Sequence, residues 1–155
     1  MTSQTPMPLD FGPFWGRLNH GIIRLVDYIP DEKINWSPKP DRWNFKGTLL
    51  HMLAVRHAWL EHDVKDGVST PDVLVEAQTK EALKEHLGIS WDRIERFLSN
   101  REQLEATYVN DENRYETYSG HWIAYHLLEH DIHHRADIFH YLALLGIEHP
   151  DVGTP

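Results

Sequence analysis

Apolar side chains recur every three or four residues along four long segments of the chain, and no stretch of clean alternation between apolar and polar residues competes with them. Proline, glycine and asparagine interrupt the pattern between these segments. The spacing predicts four amphipathic helices, which run from about Pro13 to Ile29, Phe45 to Val64, Thr79 to Glu105 and Ser119 to Gly146. Helices of this length are the usual components of a four-helix bundle, so the predicted fold class is all-α.

Length and composition exclude several classes of protein. The 155 residues fit a single domain over 1–155, and folding at this length buries roughly 70% of the extended chain's surface. The net charge of −9 disfavours binding to nucleic acid and to anionic lipid. Cysteine is absent, which excludes disulfides, thiolate metal sites and cysteine nucleophiles. Any metal ion is therefore expected to be held by histidine or carboxylate side chains.

The sequence carries no sign of export or membrane insertion. Its N-terminal residues lack the basic region and the apolar region of a secretory signal. The longest stretch without Asp, Glu, Lys or Arg runs from Thr117 to Leu128, which is too short to cross a bilayer. We therefore expect a cytoplasmic protein whose partner is a small molecule rather than a nucleic acid or a membrane. A homodimer is compatible with the pattern.

Histidine is concentrated near the C-terminus, since seven of the twelve histidines lie between His121 and His149. In the fourth predicted helix, His130 and His134 fall on the apolar side. The other histidines of that helix lie progressively outside it: His126, His133 and His140. The i, i+4 spacing brings two imidazoles together on one face, where they can bind the same ion. A single inward histidine is more often a hydrogen-bonded core residue, but an inward pair favours a metal, which partners both rings.

A third ligand is expected from the second helix. His51 and His62 share a face of that helix that the apolar spacing predicts to look inward. About 16 Å separates the two histidines along the helix axis, so they cannot bind the same ion. Spacing alone leaves the choice between them open.

Two segments of the last helix carry a resemblance to a known family: Glu129-His-Asp-Ile-His-His-Arg-Ala-Asp137 and Tyr141-Leu-Ala-Leu-Leu-Gly-Ile147. Together with the earlier His51-Met and the Trp43-Asn-Phe that precedes it, they resemble the DinB/YfiT-like superfamily, whose members are regarded as metalloenzymes. The resemblance implies a four-helix bundle with up-down-down-up connectivity and metal ligands at His51, His130 and His134. Arg135-Ala-Asp137 stands where the family has Arg-Gly-Gln. Asp137 is therefore a further candidate, either to orient a ligating imidazole or to approach the metal.

Three neutral imidazoles leave a divalent ion with its full charge and an open position, as in catalytic rather than structural sites. Zn²⁺ and Ni²⁺ are the favoured ions, and Fe²⁺ and Mn²⁺ are also admitted. Relatives in the family include thiol S-transferases, thiol-dependent isomerases and hydrolases. The resemblance thus implies an enzyme that activates a thiol cofactor or water for attack on a small electrophile. The alternatives are a metal-dependent hydrolase and a non-catalytic bundle that binds a metal and a ligand.

Other side chains are candidates for supporting roles in that chemistry. His126, one turn before His130, is a candidate catalytic proton acceptor, and Asp137 is a second candidate catalytic group. Trp122 and Tyr125, together with Trp15, are candidates for the mouth of a cofactor pocket. The name of the family refers to induction by DNA damage, which concerns expression in a stress response and not the chemistry of the site.

Two other metal motifs fit the sequence less well. His126-Leu-Leu-Glu-His130 matches the His-x-x-Glu-His pattern of inverted zinc peptidases, but the partner domain of such peptidases is missing and His126 points off the apolar side. A ferritin-like di-iron site needs Glu-x-x-His, and no Glu of this chain has a His three residues later. The di-iron class is therefore excluded.

Overall fold

The structure is a computed structural model that describes residues 11–110 and 112–149. This part of the chain is predominantly helical, as the apolar spacing predicts. Its α-helices are α1 (Gly12–Tyr28), α2 (Phe45–Ala58), α3 (Val73–Glu76), α4 (Lys80–Leu98), α5 (Arg101–Glu105) and α6 (Gly120–Leu144). A 3₁₀ turn at Asp31–Lys33 follows α1, and a π-helical turn at Trp59–Val64 extends α2. The strands β1 (Thr107–Val109) and β2 (Thr117–Ser119) form an antiparallel hairpin.

Polar caps fix where the longer helices α2, α4 and α6 begin. Asn44, Thr79 and Ser119 each precede one of these helices, and each side-chain oxygen accepts a hydrogen bond from the backbone amide three residues later. Such caps satisfy one of the amides that the first turn of a helix leaves without a partner. The starts of α2 and α6 set the position of every histidine that follows in those helices.

The four long helices pack in a ring around one core. α1 contacts α4 and α6, and α2 contacts the same two helices. Each long helix contributes fully buried aliphatic side chains to this core, among them Ile22, Leu49, Leu87 and Leu127. The ring places α2 beside α6, so the two helices that carry the predicted ligands are direct neighbours.

The outer surfaces of these helices carry polar and charged residues together with exposed apolar side chains such as Phe14, Ile132 and Leu144. α6, the longest with 25 residues, carries histidine and charged side chains along most of its length. Within residues 11–110 and 112–149, no helix combines the length and the apolar character needed to cross a membrane.

The third predicted helix is wrong in its last part, because α4 ends at Leu98 and α5 is a separate short helix. The hydroxyl of Ser99 donates a hydrogen bond to the Glu95 carbonyl, and the side chain of Asn100 caps α5. Serine and asparagine side chains compete with the helical hydrogen bonds of the backbone, which explains the break.

The all-α prediction also omits the hairpin. Its strands have three residues each, too few for alternation to be recognised in the sequence. The hairpin leads directly into α6, whose first residue, Gly120, packs against the backbone of α5. A Cβ atom at Gly120 would collide with the Gln103 carbonyl oxygen, so the close approach requires glycine. This contact fixes the N-terminal end of the helix that carries most of the candidate site.

The predicted inward face of α2 is wrong by part of a turn. The fully buried face is centred on Leu49, Arg56 and Leu60. His51 lies outside this face, about 140° around α2 from Arg56, but it is half-buried, whereas the side chain of His62 is 56% exposed. The prediction relied on Val55, Ala58 and Trp59, which are only partly buried, and it did not consider Arg56. The structure thus favours His51 over His62 as the inward histidine.

Candidate metal centre

Three of the predicted site residues lie together between α2 and α6. The Nε2 atoms of His51 and His130 are 2.9 Å apart, and the ring centroids of His130 and His134 are 4.4 Å apart. One ring nitrogen from each of the three residues lies within 4.8 Å of the other two. His51 comes from the middle of α2, and the other two come from successive turns of α6. This arrangement is compatible with a divalent ion bound by three imidazoles.

Burial keeps the three imidazoles neutral near pH 7. It lowers the pKa of His130 to about 3, with a further contribution from the positive charges that His134 and His51 carry when protonated. Burial also lowers the pKa of His51 and of His134, and in His134 it outweighs the opposing effect of Asp137. Metal binds the neutral imidazole. The surroundings therefore keep the nitrogen lone pairs available.

Asp137 contacts the Nδ1 atom of the His134 ring. Its Oδ2 atom is 2.9 Å from His134 Nδ1. A carboxylate can only accept a hydrogen bond, so Nδ1 carries the proton and Nε2 keeps its lone pair. His133 Nε2 lies 4.0 Å from the same carboxylate oxygen, on the exposed side of the helix. His133, His134 and Asp137 thus form a second, more exposed group of potential ligands that shares His134 with the first.

Hydrogen bonds alone do not satisfy the three rings. Only one hydrogen bond can join the facing Nε2 atoms of His51 and His130, because one nitrogen must donate and the other accept. His130 Nδ1 is buried and has no hydrogen-bond partner in the part of the chain that the structure describes. A divalent ion would accept a lone pair from each ring at once. The residues present therefore fit a metal ion.

Trp43 covers one side of the histidines, a role that the sequence analysis did not assign to it. Its ring centroid lies 4.0 Å from that of His51 and 5.7 Å from that of His134. The residue is 49% exposed and precedes the cap of α2, Asn44. The sequence offered one indication of this contact, namely a tryptophan next to the start of a helix that carries a candidate ligand. Aromatic residues in such positions more often pack in the core.

An aromatic stack borders the other side. The His126 ring lies 6.5 Å from that of His130 and stacks on Trp122, with centroids 5.0 Å apart and ring planes 9° apart. Trp59, which the sequence did not single out for the site, packs against His126 at 5.1 Å. Both His126 and Trp122 thus lie next to the histidine group, and neither belongs to it.

Tyr125 and Trp15 lie elsewhere. Tyr125 precedes His130 by five residues, which places it about 140° around α6 from that histidine. It packs edge-on against Phe11 at 5.4 Å. Tyr125 and Trp15 both line a cavity of about 490 Å³ between the ends of α1, α4, α5 and α6. The structure therefore does not bring either residue to the histidine group.

A buried ion pair that was not predicted from the sequence lies beside the histidines. Arg56 Nη2 is 2.8 Å from Asp131 Oδ2, and both side chains are fully buried. Asp131 follows His130 and falls about 100° from it, within the apolar side of the helix. A carboxylate on the apolar side of a helix needs a buried partner, so the position of Asp131 in the sequence already indicated that such a partner exists.

Comparison with known proteins identifies the family. The model of the DinB family matches residues 11–155, so the chain belongs to the DinB family. The crystal structure of YjoA, a DinB-like protein from Bacillus subtilis, matches with a TM-score of 0.68, covering 91% of this chain and 93% of that chain. The two sequences are 18% identical, so this similarity concerns the fold alone. No curated protein matches the chain. The family predicted from the motifs of the last helix is confirmed.

Proposed function

We propose that the protein binds one divalent metal ion through His51, His130 and His134, and that the site activates a thiol or water for attack on a small electrophile. The convergence of three ring nitrogens within 4.8 Å of one another carries this proposal. Membership of the DinB family supports it. Zn²⁺ and Ni²⁺ are the ions we favour for three nitrogen ligands, with Fe²⁺ and Mn²⁺ as alternatives.

A divalent ion with three neutral ligands supplies a Lewis acid with an open position, where the pKa of a thiol or water is lowered. The chain contains no cysteine, so we propose that the thiol comes from a small-molecule cofactor. Trp43 on one side and the stack of Trp122 and His126 on the other border the three rings. We assign these aromatic groups to contact with the apolar part of the substrate.

We assign two side chains to roles in accepting or positioning protons at the site. His126 is half-buried, and its ring lies 6.5 Å from that of His130, close enough to accept a proton from a group bound between them. Asp137 accepts the hydrogen bond of His134 Nδ1 and fixes the orientation of that ring. Tyr125 remains a candidate for cofactor binding only through the separate cavity that it lines.

The proposal extends to the protein as a whole. We propose a single domain over residues 1–155 with up-down-down-up connectivity of the four long helices. We also propose a cytoplasmic location, a small-molecule substrate and a homodimeric assembly. The contacts of α2 with α6 and of α1 with α4 are compatible with this connectivity.

Turnover of a fluorogenic electrophile tests the reaction. Protein loaded with Zn²⁺ or Ni²⁺ is mixed with monochlorobimane and either glutathione, bacillithiol or mycothiol. We expect thiol conjugation by the wild type and by His140→Ala, which removes an exposed histidine of the same helix. Conjugation should be lost in His130→Ala.

The other outcomes separate the alternatives. Hydrolysis of ester or amide substrates without any thiol, again lost in His130→Ala, would replace the transferase proposal by a hydrolase. Binding of the metal without turnover of either kind would contradict the enzymatic proposal and leave a metal-binding helical protein.

A further inference from the structure

A buried polar network connects all four long helices. Asp131 of α6 receives hydrogen bonds from Arg56 of α2 and from the indole nitrogen of Trp15 of α1, at 2.8 and 2.7 Å from its Oδ2 atom. Arg56 also donates from Nη1 to the hydroxyl of Ser90 in α4, at 2.9 Å. All four side chains are almost completely buried. The centre of the network is the ion pair between Arg56 and Asp131.

This ion pair joins the same two helices as the histidine group. Asp131 directly follows His130 in α6, and Arg56 follows His51 by five residues in α2, about 7.5 Å further along the axis. The Arg56 guanidinium approaches Asp131 with two of its nitrogens, Nε and Nη2. A rotation or slide of α6 against α2 that separates His51 from His130 therefore also displaces Asp131 relative to Arg56.

A contribution to folding stability does not by itself explain why this network contains a buried ion pair. Buried ion pairs cost desolvation, and well-packed apolar pairs commonly replace them without loss of stability. Between the histidines themselves, a single hydrogen bond joins the two helices, from one Nε2 atom to the other. The contact of Arg56 with Asp131 is charged and uses two donor nitrogens. It therefore constrains the relative orientation of α2 and α6 more strongly than the hydrogen bond between the histidines does.

We propose that Arg56 and Asp131 are positioning residues of the metal centre. Their ion pair, held in place by Trp15 and Ser90, sets the rotation of α6 relative to α2 so that the three histidines converge before the metal binds. This inference rests on the proposed binding of a metal by His51, His130 and His134. The metal affinity of the site then depends also on Arg56 and Asp131, which do not touch the ion.

A double variant tests the inference. Arg56→Met with Asp131→Leu removes both charges and leaves neither without its partner. The matched control is Asp66→Leu with Arg93→Met, which removes a second buried ion pair, where the Nη2–Oδ1 distance is 2.6 Å. Arg93 ties α4 to the loop that follows the π-helical turn and to His57 of α2. None of these hydrogen bonds reaches the three proposed ligands.

Binding of Co²⁺, followed by its visible absorption, and thermal unfolding of the metal-free protein are measured for each variant. We expect Arg56→Met/Asp131→Leu to unfold within a few degrees of the wild-type midpoint, because two buried charges are removed while the Trp15 indole nitrogen loses its acceptor. The same variant should bind Co²⁺ about 10- to 100-fold more weakly. The control double variant should keep the wild-type affinity. Trp15→Phe, which keeps an aromatic ring but removes the donor to Asp131, should weaken Co²⁺ binding by a smaller factor.

Unchanged affinity in the folded double variant would overturn the inference, and so would an equal loss in the control. If the double variant does not fold, unchanged affinity in Trp15→Phe decides against it. A wild type that does not bind Co²⁺ would instead remove the proposed function, and this inference with it.

Discussion

The carboxylate of Asp137 accepts a hydrogen bond from the His134 ring, with Oδ2 2.9 Å from Nδ1. A carboxylate in this position fixes both the proton and the orientation of a ligating imidazole, and removing such a partner usually lowers metal affinity 10- to 100-fold. We therefore expect Asp137→Ala to weaken Zn²⁺ binding by about that factor, measured by competition with a chromogenic chelator. Glu129→Ala, which removes an exposed carboxylate of the same helix, is the control and should keep the wild-type affinity. Equal losses in both would indicate a general effect of charge.

The second prediction concerns Trp43, which lies 4.0 Å from the His51 ring. An open-shell ion such as Ni²⁺ quenches the fluorescence of nearby indole groups, and this contact makes Trp43 the best placed of the six tryptophans. Trp43→Phe should remove the largest share of the quenching in a Ni²⁺ titration. Trp91→Phe should leave most of the quenching intact, because Trp91 packs against Trp15 in a different part of the core. Full quenching in Trp43→Phe would place the ion elsewhere.

The sequence predicted which side of α6 carries His130 and His134 but misplaced the buried face of α2, and both results have a physical origin. In α6, aliphatic residues such as Leu127 and Ile138 lie fully buried on the side that the apolar spacing predicted, so His130 and His134 were assigned to the correct side. In α2, the buried face includes Arg56, whose charge is neutralised by a residue 75 positions away. Local spacing cannot reveal a partner at that distance, so the choice of His51 rested on the family motif.

A third prediction follows from His57, which is buried next to Arg93, with Nδ1 3.1 Å from the guanidinium. Burial, with the positive charges of Arg93 and Arg56, lowers the pKa of His57 to about 4. The pKa is about 6.5 in an unfolded chain, so the unfolded state binds this proton first. The contribution of His57 to stability is complete above about pH 6.5 and declines as the pH falls towards 4. The loss amounts to about 3 kcal/mol.

Denaturant unfolding of the metal-free protein at pH 7.5 and at pH 4.5 measures this loss. The His57→Gln variant has no group that titrates at this position, so its free energy of unfolding should fall less between the two pH values. Equal losses in wild type and variant would show that other groups account for the acid sensitivity.

A fourth prediction concerns the start of α6, where Gly120 packs against the backbone of α5. Gly120→Ala should destabilise the protein by about 1–3 kcal/mol, because the backbone of α5 must move to admit the methyl group. Gly88→Ala is the control, since the structure shows nothing within 4 Å of a Cβ at this helical position. It should instead stabilise the protein by about 0.5–1 kcal/mol. Similar effects of the two substitutions, measured by denaturant unfolding, would contradict the proposed packing of α6.

The metal content of protein purified without chelator shows whether His51, His130 and His134 form a metal site. Wild type, His130→Ala and His140→Ala are prepared side by side and analysed by inductively coupled plasma mass spectrometry. We expect about one divalent ion per chain in the wild type and in His140→Ala, because three ligands bind a single ion, and no bound ion in His130→Ala. Full metal content in His130→Ala would contradict this expectation.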